Sequence, residues 1–143
     1  MRRGRNTRRP ARPSHKQVLD LEDLLRKDFH RAAGRQKRCA ACGHTGPFQA
    51  HHVLYKQHLR AEGLPLWDPR NALRVCRDDA PARCHQRHHN ATGRINLTAL
   101  TDANITFAFE ALGAAAYDYL HRYYDGRDPR VDAKLEEVTA DAA

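Results

Sequence analysis

Four short stretches decide how this chain folds: Cys39-Ala40-Ala41-Cys42-Gly43, Ala50-His51-His52-Val53, Asn71-Ala72-Leu73-Arg74-Val75-Cys76 and Cys84-His85. They hold all four cysteines, and six of the ten histidines (His51, His52, His58, His85, His88 and His89) lie in the same span, residues 39–89. Cys-x-x-Cys followed by glycine is the shape of a zinc knuckle, a tight turn that lets two thiolates reach one ion, and Cys76 and Cys84 would complete a tetrahedral site of four cysteines. A redox Cys-x-x-Cys expects a strand-to-helix turn, whereas here a glycine-bearing turn leads toward a strand. A finger built on two cysteines and two histidines wants about twelve residues between its second cysteine and first histidine. Eight separate Cys42 from His51, so the spacing favours structural zinc on four cysteines.

Outward from this span the pattern predicts a small α+β domain. Residues 48–53 and 71–76 suit strands, with Leu73 and Val75 on one face, and residues 55–69 read as irregular or briefly helical. On the N-terminal side Val18, Leu21, Leu25, Phe29 and Ala32 recur every three or four positions, one stripe of an amphipathic helix over 17–33 that Gly34 stops. On the C-terminal side Pro81 opens a predicted helix to residue 90. Thr101 or Asp102 caps a longer helix, and Gly113 stands where it would bend or divide it. The aromatic set Phe107, Phe109, Tyr117, Tyr119, Tyr123 and Tyr124 reads as core.

The 143 residues make about one domain, with 25 Lys and Arg against 17 Asp and Glu. Residues 1–16 hold seven basic side chains and no acid, so the other 127 residues carry 18 basic against 17 acidic ones. The net charge of +8 is mostly a tail, expected to be disordered alone and to attract polyanions, nucleic acid first. No apolar run approaches the roughly 20 residues of a membrane span, and the basic start is not followed by the apolar stretch of a signal peptide. A cytoplasmic location is expected, where cysteines serve as metal ligands or reduced thiols rather than disulfides. With 41% apolar residues and few large ones the core is thin, and a structural metal would staple it.

In their order along the chain, the four stretches resemble the HNH endonuclease family, whose letters correspond to His52, Asn71 and His85. The resemblance spans roughly residues 38–92. It implies a ββα-metal finger stapled by structural Zn2+ on Cys39, Cys42, Cys76 and Cys84, with His51 and His85 binding one catalytic divalent ion (Mg2+, Mn2+, Ni2+ or Zn2+). Two features depart from the family pattern. Seven residues, 77–83, separate Cys76 from Cys84 where about two are usual, and the glycine-rich loop after the first histidine pair is missing. The expected organisation is a basic tail over 1–16, one nuclease domain over 17–126 with its finger near 38–92 and its C-terminal helix near 101–125, and a frayed end over 127–143.

The residue types suit phosphodiester hydrolysis, which needs an activated water, a cation and their mutual orientation. His52 would be the general base, since a histidine with an ordinary pKa of about 6.5 is mostly neutral at physiological pH. Asn71 would fix it, through its tautomer or the backbone beneath it. His88 and His89 share overlapping helix faces with His85, and one of them, His89 by preference, is a candidate third metal ligand. Adjacent side chains of a flat strand point to opposite faces, so His51 and His52 are expected at a twisted or bulged strand end. His58, His15, His30, His44 and His121 read as surface or packed side chains.

Arg35, Lys37, Arg38, Lys56, Arg60, Arg74, Arg77, Arg83, Arg87 and Arg94 surround these stretches; phosphate contacts are expected from Arg87 foremost, with Arg38, Arg35 and Lys56. The expected activity is metal-dependent cleavage of DNA, duplex DNA first. Compact stand-alone proteins of this kind resemble phage or prophage nucleases, which makes packaging proteins partners by analogy alone. Two alternatives stay open: a non-catalytic zinc-stapled DNA-binding module, which needs only the cysteines, and an RNA-directed nuclease.

Overall fold

The computed structural model describes residues 11–141, and residues 1–10, most of the predicted basic tail, lie outside that range. Helix α1 (His15–Gly34) starts inside the expected tail. Ser14 Oγ accepts from the Gln17 amide while the Gln17 side chain accepts from the Ser14 amide, a capping box that starts the helix ahead of its first apolar residue. After it come β1 (Phe48–His52), α2 (Lys56–Ala61), β2 (Ala72–Cys76), α3 (Cys84–His89), α4 (Asp102–Leu112), α5 (Ala115–Tyr123) and α6 (Pro129–Asp141). The described residues thus form an α+β arrangement of six α-helices and one two-stranded sheet. None of these helices is long and apolar enough to cross a membrane.

The two strands pair antiparallel from Phe48 opposite Cys76 to His52 opposite Ala72, with no bulge. Period-two alternation gives the sheet two different faces. On one, Ala72 meets Phe29 and Ala33 of α1, with Ala50 and Trp67 beside them. On the other, Leu73 and Val75 enter the main core with Val53, Leu54, Leu59, Ile105, Leu120 and Tyr124. Asn104, buried in α4, ties the helical half to the sheet: its Nδ2 donates to the carbonyls of Arg70 and Ala72, and its Oδ1 accepts from the Thr101 amide in the N-terminal cap of α4.

Three expectations are corrected here. No helix starts at Pro81: residues 77–83 close two tight turns, with the Ala80 amide on the Arg77 carbonyl and the Arg83 amide on the Ala80 carbonyl, and α3 begins only after Arg83, whose φ of 47° no helix accommodates. The C-terminal helix near 101–125 is two helices, because Gly113 adopts φ 60° and ψ −144°, a conformation open essentially to glycine alone. The segment 127–143 does not fray over its described part. Val131 is fully buried in the main core, with Leu135 and Val138 packed against it, a stripe spaced i, i+4, i+7 that its few apolar residues concealed.

Asp128 anchors that last helix. Its carboxylate accepts from the Arg130 amide and guanidinium, and the same guanidinium reaches Asp102 and the Leu100 carbonyl. Hydrogen bonding from Arg130 holds the Asp128 carboxyl below the usual carboxylate range. Asp128→Asn keeps the capping acceptor but removes the charge, and is expected to cost about 1 kcal/mol at neutral pH, discounted for the solvent that reaches Arg130. A depressed folded pKa stabilises above the unfolded value of about 3.9, and the gain is lost as pH falls through the folded value. The melting-temperature gap between wild type and variant should therefore stay constant from about pH 5 to 8 and begin to close below about pH 4.

Candidate functional site

The four cysteines converge where the chain beyond α1, the end of β2 and the start of α3 meet, their Sγ atoms all within 4.8 Å of one another. Gly43, at φ 75°, turns the first pair back, and the Ala40 amide donates to the Arg74 carbonyl, so the knuckle is stitched to β2. Cys39 Sγ accepts from the amides of Ala41 and Cys76. All four are free thiols, and the 3.4 Å between Cys42 and Cys76 sulfurs compares with about 3.8 Å between sulfurs bound tetrahedrally at about 2.3 Å from one ion. The long 77–83 loop does not displace Cys84, because its tight turns bring the chain straight back to α3. Burial raises the Cys39 thiol, but amide donors from Cys42, Ala41 and Cys76 outweigh it and bring the pKa to about 7. Burial and neighbouring cysteines push Cys76 up to about 12 and Cys84 higher still. A bound cation would favour the thiolate form of all four, and the cluster could hold a metal ion such as zinc.

On a neighbouring face of α3 a second cluster forms from His51, His85 and His89, one ring nitrogen of each lying within 4.8 Å of the others. Hydrogen bonding sets the tautomers. Tyr124 Oη donates its single proton to the Val53 carbonyl at 2.6 Å, so at its 2.8 Å contact with His51 Nε2 it can only accept. His51 therefore carries its proton on Nε2 and has a bare lone pair on Nδ1. That Nδ1 is buried with no partner, a loss of about 1–3 kcal/mol unless something fills it. His85 donates Nδ1–H to Asp78, leaving Nε2 bare, 3.2 Å from His89 Nε2. Two imidazole nitrogens each about 2.1 Å from a shared ion are about 3.0–3.4 Å apart. The orphaned lone pair and this spacing fit a divalent ion held by three histidines, with open positions and Asp78 and Tyr124 orienting the ligands from behind. Burial holds His51 well below its ordinary pKa, aided by His88, His89, His85 and His52; burial and His85 lower His89.

His88 stands outside this set. Its Nδ1 accepts from the Ile95 amide and its Nε2 contacts Tyr55 Oη, so both nitrogens are engaged.

His52 faces the other side of the sheet, stacked on Phe29 at 4.2 Å with Trp67 against it. Its Nε2 donates to the Leu66 carbonyl at 2.8 Å, which places the lone pair on Nδ1. Burial lowers its pKa to about 4 with help from Lys56, His30 and Arg60, against the opposing Leu66 bond, so at neutral pH the ring is neutral, with its one proton on Nε2. The Asn71 side chain makes no hydrogen bond to His52. Its Oδ1 accepts from the Leu54 amide and its Nδ2 donates to the Leu54 carbonyl, clamping the backbone just beyond the histidine pair. The pair does end β1, as expected, but without a bulge: opposite-facing His51 and His52 line one cleft of about 440 Å3, together with Gln49, Ala50, Lys56 and Trp67, and β1 has a free edge in this two-stranded sheet.

No protein-family model, curated protein or solved structure matches the chain.

Of the basic residues singled out in the sequence, Lys56 lines the cleft. Arg35 and Arg38 sit exposed beyond α1, near the cysteine knuckle, and exposed Arg87 lies over Gly93 on the outer side of α3. Arg74 and Arg77 are spent internally, on the Gly34 carbonyl and on Asp79. Arg60 and Arg94 flank an adjoining cleft of about 490 Å3 that shares Tyr55, Lys56 and His89 with the first. His58 is half-buried, its Nδ1 bonded to Tyr119 Oη. Tyr124, Asp78, Phe29 and the Leu66 carbonyl were invisible in the sequence as site groups; only Asp78, inside the long loop between two cysteines, offered a signal.

Two classes of bound ion are expected from metal analysis and chelator competition. Cys42→Ser should abolish one class and unfold the finger, since structural zinc of this type contributes on the order of 10 kcal/mol. Tyr124→Phe should leave that class intact and weaken the other about 10- to 100-fold, the usual effect of removing a group that orients a ligand.

Proposed function

We propose that this chain is a metal-dependent endonuclease of the HNH type, hydrolysing phosphodiester bonds in DNA with a histidine base and one divalent ion. The observation that carries the reading is the bare, buried Nδ1 of His51, on a ring that clusters with His85 and His89 in the same cleft as a neutral His52 whose tautomer is already fixed. The strand–strand–helix order of β1, β2 and α3, with the cysteine cluster at its base, supports a zinc-stapled finger. A binding module would have no use for an orphaned imidazole lone pair, so that observation favours catalysis.

When bound, the ion supplies a Lewis acid that neutralises charge on the scissile phosphate and the leaving oxygen. Three imidazoles favour Ni2+ or Zn2+ over Mg2+. His52 Nδ1 takes a proton from water as the water oxygen bonds to phosphorus, the bond from phosphorus to the leaving oxygen breaks, and that oxygen takes up a proton from solvent. The Leu66 carbonyl holds the ring in the accepting tautomer and stabilises the imidazolium that forms. Phe29 stacking fixes its plane, and the Asn71 clamp on Leu54 keeps the strand end from swinging. Lys56, Arg60 and Arg94 draw the phosphate backbone across the two joined clefts, giving position without sequence information.

The test is plasmid, single-stranded DNA and RNA cleavage against metal concentration, with DNA affinity measured alongside. His52→Ala should retain both classes of ion and bind DNA like wild type while losing about 10²- to 10⁴-fold in rate. His51→Ala and His85→Ala should lose rate in a way that added metal partly restores. Wild-type cleavage by His52→Ala would defeat the mechanism, and a wild type that binds DNA but cuts nothing with any ion would make the chain a zinc-stapled binding module.

A further inference from the structure

The cleft of about 490 Å3 that adjoins the histidine cluster carries cations and no acid. Lys56, Arg60 and Arg94 line it with Tyr55, His88 and His89, and no carboxylate is among its lining groups. Lys56 and Arg60 make no ion pair among the described residues. Lys56 lies over the Trp67 ring, and Arg94 spends one guanidinium nitrogen on the Arg122 carbonyl. Walls of one sign around a concave surface concentrate the field on an anion.

Hydrogen bonding sets what Tyr55 offers this cleft. The Ile95 amide donates to His88 Nδ1 at 3.0 Å, so that nitrogen bears a lone pair and the ring proton is on Nε2. His88 Nε2 then donates to Tyr55 Oη, which accepts. A phenol keeps its own proton at neutral pH, and no acceptor for the Tyr55 proton stands among the described residues. His88 lines this cleft and not the one of His51, His52 and His85, which puts the hydroxyl end of Tyr55 on this side. The residue is held at both ends: its amide donates to Tyr119 Oη, and its ring packs on His89 and Tyr123 with centroids 4.9 and 5.0 Å away. A fixed donor with nothing to donate to, beside three cations, is complementary to a phosphate oxygen.

We propose that this cleft is a phosphate subsite, in which the Tyr55 hydroxyl donates to a backbone phosphate of duplex DNA that neighbours the scissile one. Of the three candidate ion ligands only His89 is shared by the two clefts, so a phosphate seated here lies beside the ion-bound group and not on it. The inference rests on the proposed function for the identity of the anion as DNA, and it assigns Tyr55 to binding rather than to the chemical step. Loss of the hydroxyl therefore acts on affinity and KM and leaves kcat nearly unchanged.

The test is duplex affinity of the full chain across a range of salt, without added divalent ion and with the strands verified intact afterwards. Tyr55→Phe keeps the ring, so circular dichroism should be unchanged while the dissociation constant rises about tenfold. That factor should be the same at every salt concentration, because no charge is lost. Arg60→Gln and Arg94→Gln, both at exposed positions, should instead each flatten the slope of log affinity against log salt by about 0.9. A second measurement uses the wild type alone: titration with inorganic phosphate should shift the nitrogen-15 resonance of His88 Nε2, since a new bond from the hydroxyl polarises the oxygen that accepts from it. Should Tyr55→Phe fail to fold, that resonance decides. Duplex affinity that Tyr55→Phe leaves unchanged, or a His88 resonance that saturating phosphate leaves in place, overturns the subsite whatever the cleavage assay shows. Tyr55-dependent affinity in a chain that cuts nothing with any ion overturns the nuclease reading and leaves the subsite standing.

Discussion

Tyr124 has one proton to give, and the Val53 carbonyl takes it. The chemistry of the histidine cluster follows from that bond. The tyrosine oxygen can then only accept from His51, which forces the proton onto Nε2 and leaves Nδ1 bare in a position where water does not reach it. A neutral imidazole in bulk solvent exchanges tautomers freely, whereas here a side chain more than seventy positions further along the chain selects one of them. Because Val53 follows the histidine pair directly, the same hydroxyl also holds the strand end from which both rings project.

The two clusters divide the labour along α3. Its first residue, Cys84, belongs to the thiol cluster; His85 and His89, one turn apart on a neighbouring face, belong to the imidazole cluster. Four crowded thiols resist joint ionisation without a cation, so that end of the helix is suited to permanent closure. Neutral imidazoles offer lone pairs without net charge, and the cleft leaves room beside them. The helix thus carries the two clusters side by side, so packing that fixes the thiol cluster also fixes the imidazole cluster on a domain with a thin core.

The cysteine knuckle and the strand pair were legible in the sequence because each rests on local spacing, two residues between thiols and alternation in Leu73 and Val75; the helix of Cys84 was legible as a helix, but its start was read at Pro81, three residues early. The long loop of residues 77–83 looked like a defect in the pattern, yet two tight turns take up its length. Helix α6 was not legible, since its stability comes from Val131 filling a core built by distant elements and from one carboxylate–guanidinium pair, neither of which leaves a strong periodic trace.

What the sequence by itself determined is the inventory and its order: which side chains can ligate, and where the strands and caps fall. Those are consequences of residue type and of helical or strand periodicity, which act over a few positions. Only the tertiary structure decided roles among chemically identical residues. His88 and His89 are neighbours of the same type, but the Ile95 amide engages one and not the other. His51 and His52 point to opposite faces, yet they line one cleft, and β1 has a free edge in a sheet of two strands. Hydrogen-bond partners drawn from Tyr124, Leu66 and Asp78 set which ring nitrogen of His51, His52 and His85 is left bare, and such partners are set by packing across the chain, where local sequence carries no record of them.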